Sequence, residues 1–193
     1  MTFNLSVKDL STVAIYSVLF FVLMIAIGFV GFIPVFIPLL AALAPLFGGV
    51  IFMLFLTRVD KFGMVALLGF VNGLLMFVAG MGYWVVLTGA VFGLLADLLL
   101  KSSDYRELKR GITAYSVFSL WVIGNFLPFY LSRESYFSMI SEGYGQEYAQ
   151  SLSVLMPYWL LPVLVVGAMV CGFIGAKVGS QLLNKQLSRA GVV

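Results

Sequence analysis

The chain alternates between long apolar runs and short polar breaks. Six runs are separable, at about 10–30, 39–57, 62–79, 83–100, 112–131 and 155–178. Each approaches the roughly 20 apolar residues that a helix needs to cross a hydrocarbon core. The runs are continuous, not alternating, and too long for barrel strands of ~9–11 residues. Helices satisfy their own backbone in lipid. The pattern therefore predicts an all-α fold, a six-transmembrane-helix bundle forming a single domain over 1–193.

The breaks differ in kind. "GFIPVFIP" (31–38) carries Pro34 and Pro38, which lack the amide donor of a helix interior. It is expected to be an ordered loop or a broken helix start. Pro45 is expected to kink the second span. "AGMGYW" (79–84) reads as a tight, Gly-rich turn. The longest uncharacteristic stretch, "RESYFSMISEGYGQEYAQ" (133–150), holds three of the eight acids and three tyrosines. Phe137, Ile140, Tyr144 and Tyr148 recur there at helical spacing, with "EGYG" (142–145) interrupting the helix. An amphipathic helix across one mouth of the bundle fits this stretch. It serves either as an interfacial anchor or as a cap over a binding pocket.

Composition sharpens the class. The 193 residues are 62% hydrophobic and 10% charged, with a mean hydropathy of +1.10. A soluble domain carries roughly 25% charged residues, so the chain is expected in a membrane. The first run exceeds a signal-peptide core of ~7–15 residues and is read as a retained span. Charge then sets orientation. With six spans, Lys8, Arg58, Lys61, Lys101, Arg106, Lys109, Arg110, Lys177, Lys185 and Arg189 share one side, and only Arg133 lies on the other. Bases concentrate on the cytoplasmic side. Both termini are thus expected in the cytoplasm, with the 133–150 segment extracellular.

Catalytic chemistry finds little footing. There is no His, the commonest general base and metal ligand. No phosphate-binding GxxxxGK[ST] loop occurs, and no nucleophile elbow can find a His partner. The chain is not expected to be an enzyme, nor to hold a metal, a cofactor or nucleic acid. Cys171, the one cysteine, reads as a packed residue. Asp97 reads as a snorkelling carboxylate or a partner of Lys101 one turn on. Asn72 reads as glue between helices. Asn125 reads equally as internal glue or as a ligand contact. Gly69 and Gly73, Gly89 and Gly93, Gly172 and Ala176, and Gly175 and Gly179 allow close helix approach, within the bundle or at a subunit contact.

Aromatic residues gather toward the mouth carrying Arg133. Tyr and Trp belts are normal at membrane interfaces, yet together these rings could line a pocket for a small, flat organic ligand. Trp84, Asn125, Tyr130, Glu134, Tyr148 and Trp159 are the candidate substrate contacts. They place the ligand among spans four to six, under the outer segment and the "GFIPVFIP" loop. The acid bias favours a neutral or cationic ligand, and Arg133 leaves room for one carboxylate.

The stretches "GFIPVFIPLL", "KFGM", "AGMGYWVVLTGAVFGLLADLLLK", "YSVFSLWVIGNFLP", "YGQEYAQ" and "RAGVV" together make the chain resemble the Trep_Strep family of integral membrane proteins. That family is grouped with the substrate-specific S components of energy-coupling factor (ECF) transporters. The resemblance implies a multi-pass protein of the bacterial plasma membrane. It further implies a six-helix subunit that binds a vitamin-like or cofactor-precursor molecule at its outer face. Such a subunit docks on a transmembrane T subunit and two ATPases and topples in the lipid bilayer to deliver its ligand. One departure is visible. Several S components carry AxxxA on helix one for docking, whereas Ser11, Ala14 and Ser17 stand here at three-residue spacing. A stand-alone transporter or channel, and a ligand-free membrane scaffold, are the competing classes. Coupling carboxylates or repeats within the spans would mark a self-powered transporter, and neither is evident.

Overall fold

Ser6 opens the first helix with a reciprocal cap. Its hydroxyl accepts from the Asp9 amide, and the Asp9 carboxylate accepts from the Ser6 amide at 2.7 Å. Two of the orphan donors of a helix start are thereby satisfied. Helix α1 (Val7–Gly28) tightens into a 3-10 turn over Phe29–Phe32. Ile33 is extended (φ −101°, ψ 114°), the conformation favoured before a proline. A second 3-10 turn, Pro34–Phe36, leads into α2 (Ile37–Leu56). "GFIPVFIP" is thus a broken helix start, built by the missing amides of its prolines. Pro38 stands in the first turn of α2, and Pro45 lies inside it.

The computed structural model describes residues 5–102, 105 and 107–189. Arg106 and residues 190–193 of the "RAGVV" stretch lie outside the described residues. The next elements are α3 (Met64–Met76), a wider π-type turn (Phe77–Met81) and α4 (Trp84–Lys101). Then come α5 (Leu108–Phe118), a 3-10 stretch (Ser119–Asn125) and the single-turn α6 (Pro128–Leu131). Two short helices, α7 (Arg133–Tyr144) and α8 (Gln146–Leu155), precede the long α9 (Leu160–Arg189). No strand occurs among the described residues.

Five helical stretches are long and apolar enough to cross a membrane: Val7–Phe32, Pro34–Leu56, Met64–Met81, Trp84–Lys101 and Leu160–Lys185. The run expected as one span at 112–131 is instead a three-part path. It still leads from one end of the molecule to the other. Gly111 shares a cavity wall with Leu56 and Leu183, and Asn125 shares one with Gly28 and Ile37. Ser119 to Gly124 are all buried. The path is therefore the inner post of the bundle, with the long helices around it.

Small residues set the closest contacts. A Cβ on Gly49 would collide with the Gly175 backbone, and one on Gly69 would collide with the Gly89 carbonyl. The α2–α9 and α3–α4 pairs therefore pack backbone to backbone. The small-residue pairs seen in the sequence are used inside the bundle. Around them, Phe52 packs on Tyr115 and Phe118 with ring centroids 4.8 and 4.9 Å away. The Tyr115 hydroxyl donates to the Pro45 carbonyl at 2.7 Å. Ile15, Val22, Leu87 and Val166 face outward, as a hydrocarbon environment permits.

The two ends differ in chemistry. At one end, Lys61 between α2 and α3 pairs with Asp9 at 2.7 Å. There Asp97 is completely buried, near the end of α4. Its Oδ2 accepts from the amides of Gly63, Val65 and Ala66 at 2.8, 3.1 and 3.0 Å. Its Oδ1 accepts from the Tyr105 hydroxyl at 2.6 Å. Asp97 thus caps α3 from a neighbouring helix and does not snorkel. Lys101 lies over the Phe62 ring, 4.9 Å from its centroid. Burial, and secondly the bond to Asp97, raise the Tyr105 hydroxyl above its ordinary range, so it remains a donor.

Candidate functional site

The opposite end carries a lidded cavity of about 210 Å³. Its floor and walls come from Gly28 at the end of α1 and Gly31 in the turn after it, Ile37 and Leu40 of α2, Met81 of the π-type turn, and Asn125, Phe126 and Phe129 of the inner post. Its roof is the α7–α8 pair, through Tyr136, Ile140, Tyr144, Tyr148 and Leu152. The roof turns at Gly145 (φ 92°, ψ 156°), a backbone region that L side chains rarely adopt. The break expected at "EGYG" falls there.

Each part of the roof has a fastening. The Tyr148 hydroxyl donates to the Gly31 carbonyl at 2.7 Å, tying α8 to the turn after α1. Tyr144 stacks on Tyr148, with centroids 5.2 Å apart. Tyr136 meets Phe129 edge to face at 4.8 Å. Arg133 holds both outer ends of the hairpin. Its guanidinium donates to the carbonyls of Phe129 (3.2 Å), Met156 (2.7 Å) and Ser153 (2.8 Å). It also lies over the rings of Phe137 and Tyr158. Arg133 is therefore a staple of the roof, its donors directed at backbone carbonyls, and it does not line the cavity.

Among the described residues no charged side chain lines this cavity. Glu134, Glu142 and Glu147 are exposed. Burial pushes the Tyr136 and Tyr148 hydroxyls above the usual phenol range, with neighbouring Tyr144 adding to both. Both remain neutral donors at physiological pH. The wall has one exceptional polar group. Asn125 donates its Nδ2 to the Val122 carbonyl at 3.0 Å, while its Oδ1 is buried with no partner. A buried acceptor left unmade costs about 1–3 kcal/mol.

Of the six residues expected from sequence, the cavity brings together Asn125 and Tyr148. Tyr130 is buried, 6.1 Å from the Tyr158 ring, and Trp84 meets the Tyr83 ring at a tilt with centroids 4.8 Å apart. Glu134 points outward from α7, and Trp159 is 68% exposed. The expected location also shifts. The ends of α1 and α2 supply a wall, and α9 supplies none. Sequence reasoning placed Phe129 and Tyr136 only within the aromatic set that could line a pocket, and it did not single out Met81. Ile140 and Tyr144 were visible in the helical spacing that also marks Tyr148.

Among the described residues no cluster of three or more metal-ligating side chains occurs. A family model described as "Hypothetical bacterial integral membrane protein (Trep_Strep)" matches residues 7–189. No curated protein and no solved structure matches the chain.

Proposed function

The chain thus belongs to the Trep_Strep family of bacterial integral membrane proteins, and from that premise we propose that it is the substrate-binding S subunit of an ECF-type importer. It takes a vitamin-like or cofactor-precursor molecule into the lidded cavity. It then passes that molecule on with a T subunit and two ATPases. The observation that carries this reading is the cavity itself: roofed by a separate helical hairpin, lined by rings, and set at the end of the molecule that carries Arg133. By the positive-inside bias that end faces outward and both termini face the cytoplasm, with the broken 108–131 path serving as a sixth crossing. Binding and delivery, not catalysis, is the role that suits such a pocket.

A self-powered transporter would need ionisable groups free to couple. Asp97 is engaged in four hydrogen bonds, and Asp9 is paired with Lys61. Both carboxylates read as structural, which favours dependence on a separate motor. The test is purification of the tagged chain from its native membrane. Co-purified ATPases and a second membrane subunit, with a small molecule released on denaturation and detected by mass spectrometry, are the expected outcome. Uptake that persists with the chain alone in proteoliposomes would replace the reading with a stand-alone transporter. Stable folding with no released molecule and no partners would favour a scaffold.

A further inference from the structure

A larger opening lies at the basic end. It is a cleft of about 660 Å³ between α1 and the corner that joins α2 to α3. One wall is a single face of α1, since Lys8, Thr12, Ile15 and Leu19 follow one another at helical spacing. The other wall is residues 57–61. Tyr16 also lines the cleft and joins the two walls. Its ring lies 5.2 Å from that of Phe55, and its hydroxyl donates to the Leu54 carbonyl at 3.3 Å.

The cleft changes character along α1. Near the helix start it holds Lys8, Arg58, Lys61, Asp9 and Asp60. Lys61 pairs with Asp9 at 2.7 Å and lies within electrostatic reach of Asp60. Lys8 and Arg58 are exposed and form no ion pair with a described residue. Ser6, Thr12 and Thr57 already direct their hydroxyl protons at Asp9, Lys8 and Leu54. The donors left for an incoming group are thus the two bases. Further along α1, Ile15 and Leu19 are 61% and 45% exposed, and among the described residues no charge lines that part of the cleft.

Length completes the match. From Lys8 to Leu19 the helix rises about 16–17 Å at roughly 1.5 Å per residue. One leaflet of a ~30 Å hydrocarbon core is about 15 Å deep. The cleft therefore runs from the charged layer to about the middle of the bilayer. A soluble anion would leave the apolar length unused. A partner's membrane helix would dock on small residues, where this face of α1 presents Ile15, Tyr16 and Leu19.

We propose that the cleft binds one anionic phospholipid, its phosphate held by Lys8 and Arg58 and one acyl chain lying along Ile15 and Leu19. The site goes beyond the importer reading and does not depend on it, since it requires only that the chain spans a membrane.

The test counts bound molecules by native mass spectrometry on the full chain in a neutral detergent. Three probes are titrated: phosphatidylglycerol, phosphatidylcholine with the same chains, and glycerol 3-phosphate. A base beside an anionic head contributes on the order of 5-fold in affinity. The first phosphatidylglycerol should therefore bind at least about 5-fold more tightly than the first phosphatidylcholine. Glycerol 3-phosphate should not bind over the same range. Lys8→Gln with Arg58→Gln should bring the two lipids to within about 2-fold of each other. Lys109→Gln with Lys185→Gln removes the same charge from exposed positions outside the cleft. That pair should leave the preference within about 2-fold of the parent. Equal binding of the two lipids, a preference that survives loss of Lys8 and Arg58, or an equal loss in both double variants overturns the proposal. So does glycerol 3-phosphate binding as tightly as phosphatidylglycerol, which would mark a site for a soluble phosphate. A failed lipid preference leaves the purification test of the importer untouched, and missing partners leave the lipid site untouched.

Discussion

At the N-terminus of α3, three backbone amides converge on one oxygen of Asp97. These are orphan donors of a helix start, and the helix dipole there favours a negative group. Asp97→Ala would leave them and Tyr105 unmatched in a buried site. The expected loss is ~3–5 kcal/mol, as for removing one side of a buried charged network. Asp97→Asn keeps an acceptor and should lose less. Thermal unfolding in detergent reads both. The Asp9–Lys61 pair makes the contrast. Its Lys side chain is 41% exposed, and solvent screens an exposed pair strongly. Lys61→Met should therefore shift the same melt only slightly. The role of Asp97 was hidden in the sequence because its partners lie 31 to 34 residues upstream. A reading of helical neighbours finds only Lys101. Asn125 was legible because an amide in an apolar run must find partners. Trp159 was not, since a Trp at a span end looks the same whether it meets lipid or ligand.

Five of the six expected apolar runs are long continuous helices, legible because bilayer thickness fixes their length. The 3-10 break at Ser119–Asn125 could not be read from the chain, because Leu120 to Ile123 continue the apolar run and no proline stands within the stretch. Its cause is tertiary. The Ser119 hydroxyl donates to the Ala168 carbonyl on α9 at 3.0 Å, and Gly124 lies against the backbone of Trp84 and Val85. Packing demands of this kind select a tighter turn than the sequence prefers. The α2–α9 seam is equally exacting. Gly175→Val should overpack it against Leu46 and Pro45, costing about 1–3 kcal/mol or more and lowering the yield of monodisperse protein on size exclusion. The roof is a looser element, with one clear latch. Tyr148→Phe removes the bond to Gly31 while keeping the ring stack on Tyr144. A net hydrogen bond is worth about 0.5–1.5 kcal/mol, so the roof should open on the order of 2- to 10-fold more often. Maleimide labelling of Ile140→Cys in a Cys171→Ser background should accelerate by that factor. An unchanged rate would mean that the roof is held elsewhere, with Arg133 the next group to test.

Across the whole molecule, the division of labour follows the division of charge. The basic end is fixed by Asp97 and by the α2–α9 seam that leads to it. The tyrosine end is joined by one guanidinium, one phenol latch, ring contacts and the buried side chains of Ile140, Ala149 and Leu152. A roof over the cavity serves uptake only if it faces the outside. Ser141, half-buried on α7 beside the roof's outer surface, is the place to ask. In a Cys171→Ser chain, Ser141→Cys should react with a membrane-impermeant maleimide in intact cells, while Thr57→Cys at the basic end should react only after lysis. The reverse pattern would turn the cavity toward the cytoplasm. The same roof would then cover a site that releases or senses an internal molecule, and the importer reading would fail even if the pocket bound a small molecule.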